Sequence, residues 1–152
     1  MFVKVRSVFD CNASDLFNEV KKSKSLLYIA KPLVKFVPDE NHPLPDMWEE
    51  GKYLVKMYIF GFIPFGTQWI VISVDEQAKH IRDNGYSQVI SKWDHHIQLE
   101  GLERNKTLYV DTIEISAGAL TPFVVSFAQL FYRWRQRRWK KLITNKFDYN
   151  IK

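Results

Sequence analysis

The side chains in this 152-residue chain best suited to chemistry are its four histidines, its single cysteine and the carboxylates near them. His95 and His96 are consecutive in an alternating run. On a strand they point to opposite faces and cannot share a metal ion. His42 sits with Asp39 and Asp46 in a proline-rich segment, where carboxylates beside one histidine are commonplace, so no metal site is expected. Cys11 has no histidine or second cysteine at ligand spacing and reads as a small apolar packing residue. A lone cysteine excludes an intrachain disulfide and fits a reducing compartment. No glycine loop of the phosphate-cradling kind occurs, and no cofactor is expected. That leaves His95 and Asp111, on strands joined by a short turn. If both face one side they would lie opposite or diagonal to each other. A carboxylate there would fix the imidazole tautomer. The pair could orient a ligand hydroxyl or carbonyl, act as general acid and base, or be a satisfied structural contact.

The elements that must position this pair follow from periodicity. Residues 2–9 alternate like a strand. Asn12 and Ser14 are helix caps ahead of Leu16, Phe17 and Val20, and a second short helix is expected over 25–30 before Pro32 stops it. Residues 33–37 read as a strand. Residues 38–50 read as an acidic loop with Pro38, Pro43 and Pro45. Strands only are expected from there: 52–60, 67–74, 78–82, 86–99 and 107–116. Asn84-Gly85 is expected as a type I′ hairpin turn between the third and fourth of these. Thr121 and Pro122 then open a long amphipathic helix to about residue 143. A sheet of seven antiparallel strands must cover one face, and this helix is the element long enough to do it. The fold class expected is therefore α+β, a helix-grip arrangement in the order β-α-α-β-β-β-β-β-β-α, with residues 1–152 as one domain.

The expected inward sets are Tyr53, Val55, Met57 and Ile59 on one strand and Trp93, His95, Ile97 and Leu99 on another. In the last strand the phase containing Thr107, Tyr109, Asp111, Ile113 and Ile115 competes with Leu108, Val110, Thr112 and Glu114, and periodicity does not choose. On the long helix, Phe123, Phe127, Leu130, Phe131 and Trp134 gather into one arc that is expected to face the sheet. Arg138 falls inside that arc and Arg135 at its edge. The helix is expected either to overshoot the sheet there or to let these side chains snorkel to solvent.

The chain is 46% hydrophobic and 15% aromatic, enough for one full core. Its formal charge of +5 is concentrated between Arg133 and Lys141. This basic, aromatic stretch permits peripheral membrane contact through Trp134, Arg137, Trp139 and Lys140. A nucleic-acid role is disfavoured because no aromatic platform on an exposed strand accompanies the charge. The first residues lack the apolar core of a signal peptide, and no apolar run approaches the roughly 20 residues of a membrane span, so a cytoplasmic location is expected.

Several motifs in order resemble the SRPBCC superfamily, also called START-like or polyketide cyclase-like. They are Phe60-Gly61-Phe62-Ile63-Pro64-Phe65-Gly66, Ile81-Arg82-Asp83, Trp93-Asp94-His95, Thr107-x-Tyr109-x-Asp111, Gly118-x-Leu120 and Tyr132-Arg133-x-Arg135-Gln136-x-Arg138-x-x-x-Leu142. The resemblance implies an elongated apolar cavity between sheet and C-terminal helix, and it selects the Thr107, Tyr109, Asp111 and Ile113 phase as inward. The expected lining is Tyr53, Val55, Met57, Trp69, Trp93, Tyr109, Phe123, Phe127 and Phe131, with His95 and Asp111 as polar anchors and catalytic candidates. The expected function is binding of a hydrophobic small molecule such as a lipid, isoprenoid or polyketide-like compound. The alternative is a cyclase or dehydratase acting on a polyketide-like substrate. Monomer and dimer fit the sequence equally.

Overall fold

The computed structural model describes residues 1–152. Strand β1 (Phe2–Phe9) leads into two short helices, α1 (Ala13–Val20) and α2 (Ser23–Ala30). Asn12 starts α1 by accepting the amides of Ser14 and Asp15 on its side chain, satisfying donors the helix cannot use. That helix buries Leu16, Phe17 and Val20, a face with the spacing of one helical turn. Strands β2 (Val34–Pro38), β3 (Gly51–Ile59), β4 (Ile63–Asp75), β5 (His80–Ser87), β6 (Lys92–Leu102) and β7 (Lys106–Ser116) follow, then α3 (Thr121–Thr144). All pairings are antiparallel, in the order β1-β7-β6-β5-β4-β3-β2. The chain folds as α+β with a seven-stranded sheet and a long C-terminal helix, the helix-grip fold. No helix is long and apolar enough to cross a membrane.

Helix α3 packs on β1, β7 and α2. Its buried face is Ala128, Phe131, Tyr132, Arg135, Gln136, Trp139 and Leu142, rotated from the arc expected on hydrophobicity. Leu130 is 56% exposed, and Trp134 is half-buried with its indole N–H donated to the Lys31 carbonyl. The physical cause lies in the polar members of the true face. Gln136 bonds the Val5 carbonyl and Asp111, and Arg135 turns into an interior space, so positions that read as polar are the ones held inside. Arg135 therefore neither overshoots nor snorkels. Arg138 is half-buried, its guanidinium 4.0 Å from the Tyr28 ring centroid.

The Asn84-Gly85 turn is also corrected. These residues lie inside β5, and the connections fall at residues 76–79 and 88–91. A Cβ on Gly85 would sit 2.6 Å from the Trp69 carbonyl oxygen and 2.8 Å from Gln68 Nε2. The glycine admits a close approach of β4 rather than a reversal of the chain. Beside it Asp83 Oδ1 accepts the Val71 amide at 2.9 Å, so a side chain enters the β4–β5 ladder.

Candidate functional site

A cavity of about 390 Å³ lies between α3 and the concave face of the sheet, within the ~300–1,000 Å³ range of small-molecule sites. Its walls alternate out of the strands, as the two-residue period requires. Met57 and Ile59 come from β3, Gln68, Ile70 and Ile72 from β4, Ile81 and Asp83 from β5, and Trp93, His95 and Ile97 from β6. Tyr109 comes from β7, and α3 closes the space with Phe123, Phe127, Phe131, Tyr132, Arg135 and Trp139. Leu120 and Phe123 lie at its rim, where Phe123 is 75% exposed. The β3–β4 hairpin carries Phe60, Phe62 and Ile63 exposed, close in sequence to Phe65 in the lining.

The expected lining residues divide into three groups. Met57, Trp93, His95, Tyr109, Phe123, Phe127 and Phe131 line the cavity. Val55 and Tyr53 sit outside the lining; Val55 is buried in the core and the Tyr53 ring packs on Trp48. Trp69 is corrected. It is on the other face of β4 from Gln68 and Ile70, with the Lys52 ammonium 5.8 Å from its ring. Its size drew attention away from Gln68, Ile70 and Ile72, whose alternation marks the inward phase. Trp139 is likewise corrected as a membrane contact, being 1% exposed and inside. Asp83, Tyr132 and Arg135 were missed. Asp83 was hidden by the misread turn, whereas Tyr132 and Arg135 follow Phe131 at one and four residues and a wider helical arc would have included them.

His95 and Asp111 come together. They are diagonal on the β6–β7 ladder, where His95 pairs with Ile113 and Ile97 with Asp111. His95 Nε2 lies 2.7 Å from Asp111 Oδ1. Asp111 is 0% exposed and stands behind the wall, its other oxygen accepting Gln136 Nε2 at 3.0 Å. Gln136 completes this group. Burial pushes the His95 pKa down even though Asp111 pulls it up, so the ring is held neutral. With Nε2–H given to Asp111, Nδ1 is left as the acceptor. The Tyr132 ring lies 4.7 Å from the imidazole, and its hydroxyl accepts the Trp93 indole N–H.

Three other titratable groups belong to the walls. Burial raises the Asp83 carboxyl to about 7, against the pull of the Val71 amide and Arg135. Burial drives the Tyr109 phenol well above its ordinary value. For Arg135 burial opposes the charge, yet Asp111 and the other groups around it hold the guanidinium protonated, above its usual value. On the convex face, His96 stacks on His80 with ring nitrogens 2.9 Å apart, and Arg82 forms a two-pronged pair with Asp94. No group of three or more His, Cys, Asp or Glu side chains is gathered that could hold a metal ion. Burial raises the Cys11 thiol, consistent with inert packing.

A family model described as a domain of unknown function, DUF8410, matches residues 7–143. No curated protein matches the chain. Among solved structures, TTHA0849 from Thermus thermophilus superposes with a TM-score of 0.70 at 9% identity, covering 97% of this chain and 100% of that one. A START superfamily protein from Mycobacterium smegmatis gives 0.62 at 12% identity, covering 95% and 97%. The Zhui aromatase/cyclase from Streptomyces sp. R1128 gives 0.63 at 13% identity, covering 100% and 96%. At such identities the likeness is one of fold, and the fold is of the SRPBCC, START-like type.

Proposed function

Because the chain belongs to the DUF8410 family and has the START-like fold, we propose from its cavity that it binds a hydrophobic small molecule between sheet and α3. The chain would act as a single binding domain in the cytoplasm. The carrying observation is the apolar cavity of about 390 Å³, built mainly from isoleucines, phenylalanines and tryptophans of the sheet and of α2 and α3. Each methylene a ligand buries there is worth about 0.8 kcal/mol, so a chain or fused-ring compound gains affinity from the walls alone. His95, held neutral by burial, then serves as an acceptor fixed in place by Asp111 rather than as a charge. That the START superfamily protein and the aromatase/cyclase share this architecture supports the reading without supplying the ligand.

The test uses N-phenyl-1-naphthylamine, a neutral fluorophore that brightens in apolar surroundings. Delipidated protein should bind it saturably, one per chain. An Ile70→Trp variant, whose larger ring occupies part of the cavity, should weaken that binding while keeping its circular dichroism spectrum. No saturable binding to the wild-type chain would refute the proposal.

A further inference from the structure

The apolar lining is interrupted by Gln68, Asp83, His95 and Arg135; Gln68 Oε1 is a buried acceptor without a partner, and Arg135 brings the permanent positive charge. Arg135 is 5% exposed, lines the cavity, and its Nε has no hydrogen-bond partner in the protein. It takes part in none of the molecule's ion pairs. Its guanidinium instead packs over the rings of Tyr132 and Phe131, at 4.9 and 5.6 Å from their centroids. Four residues on, along the same helix face, the Trp139 indole N–H is directed at the Tyr109 hydroxyl without closing a full hydrogen bond to it, the two rings lying 6.3 Å apart. The Tyr109 O–H is left as the free donor of that pair.

The Arg135 guanidinium and the loosely paired Trp139 and Tyr109 groups, from α3 and β7, thus share one region of the cavity wall. Neither acidic group near them meets Arg135 in a hydrogen bond or ion pair. Asp111 takes His95 on one oxygen and Gln136 on the other, so it balances the guanidinium charge at a distance without meeting its N–H groups. Asp83 accepts the Val71 amide on Oδ1, and burial raises its carboxyl to about 7. Buried donors left unmatched are costly, and a guanidinium is the most costly of them. Its planar fork fits the two oxygens of a carboxylate, which form shorter and stronger bonds to it than a neutral oxygen does.

We propose that the occupant of this cavity is an amphiphile with a carboxylate head, its oxygens on Arg135 with Tyr109 and Trp139 as further donors, and its apolar body against the isoleucine and phenylalanine walls. This rests on the reading of the cavity as a hydrophobic binding site. It narrows the ligand class to apolar acids and excludes hydrocarbons, esters and amines as preferred ligands.

The test is displacement of bound N-phenyl-1-naphthylamine from the full chain by dodecanoate, methyl dodecanoate and dodecylammonium, which share one tail. Dodecanoate should compete at a concentration about tenfold or more below the ester, a gap of about 1.4 kcal/mol or more. Dodecylammonium should be the weakest. In Arg135→Gln the gap between acid and ester should close. Tyr109→Phe, which removes only the hydroxyl, should narrow that gap by a smaller factor. Equal competition by acid and ester in the wild type would overturn the carboxylate assignment and leave hydrophobic binding standing. The wild-type series decides this even if Arg135→Gln does not fold. Failure of the fluorophore itself to bind would remove both.

Discussion

Asp83 offers a perturbation whose size can be worked from its surroundings. Its carboxyl is raised to about 7 from 3.8, first by burial, while the Val71 amide and Arg135 pull it down and Asp94 adds to the rise. The facing groups are therefore Arg135 on α3, Asp94 and the cross-strand neighbour His95 on β6, and the β4 backbone. Ionising this carboxyl in place costs about 4 kcal/mol at 1.36 kcal/mol per tenfold change, an upper value because part of Asp83 faces the cavity. The sign follows from proton counting. The unfolded chain releases this proton near 3.8 and the folded chain near 7. Between those values the folded state holds more protons, so stability falls as pH rises and levels off above the folded value. Asp83→Asn keeps an oxygen for the Val71 amide and removes the titration. Urea denaturation at about pH 5 and about pH 8 should show the variant gaining up to about 3 kcal/mol on the wild type between the two. Using the difference between the two proteins cancels His95, whose lowered pKa acts in the opposite direction below about pH 6.5. A stability difference that does not change with pH would refute the claim that Asp83 is held protonated by its surroundings.

Two further outcomes follow from the same geometry. Gly85→Ala should destabilise the chain by about 1–3 kcal/mol in chemical denaturation, because its Cβ would meet the Trp69 carbonyl at 2.6 Å; a neutral result would mean β4 and β5 can separate freely. Asp111→Ala should cost about 2–6 kcal/mol, roughly 1–3 for each of the two buried donors, on His95 and Gln136, that lose their acceptor. If it instead spares stability and abolishes binding of N-phenyl-1-naphthylamine, the pair is not structural.

Much of the architecture was legible because it rests on periodicity. Val3 and Phe9 are buried at the two-residue period, and α1 starts at a cap residue that can be read directly, whereas the buried Thr107–Tyr109–Asp111–Ile113 phase was selected by the family resemblance alone. The inward phase of β7 was open to periodicity because a buried aspartate counts against its own strand face. Its partner Gln136 lies 25 residues away and leaves no local trace. The same blindness moved the face of α3. Hydrophobicity favours Leu130 over Arg135 and Gln136, yet the latter are inside because the sheet and cavity give their polar atoms a place. Asn84-Gly85 failed for a related reason: glycine serves both turns and close strand approaches, and only the position of Trp69 distinguishes them.

Native mass spectrometry of the chain purified gently from its own host measures the central claim most directly. The account predicts a species heavier than the 18.1 kDa chain by one small molecule, which extraction identifies as an apolar compound and which the Ile70→Trp variant retains less. A bare chain that takes up no apolar compound even when dodecanoate is added, or an adduct whose retention the Ile70→Trp variant leaves unchanged, would contradict it.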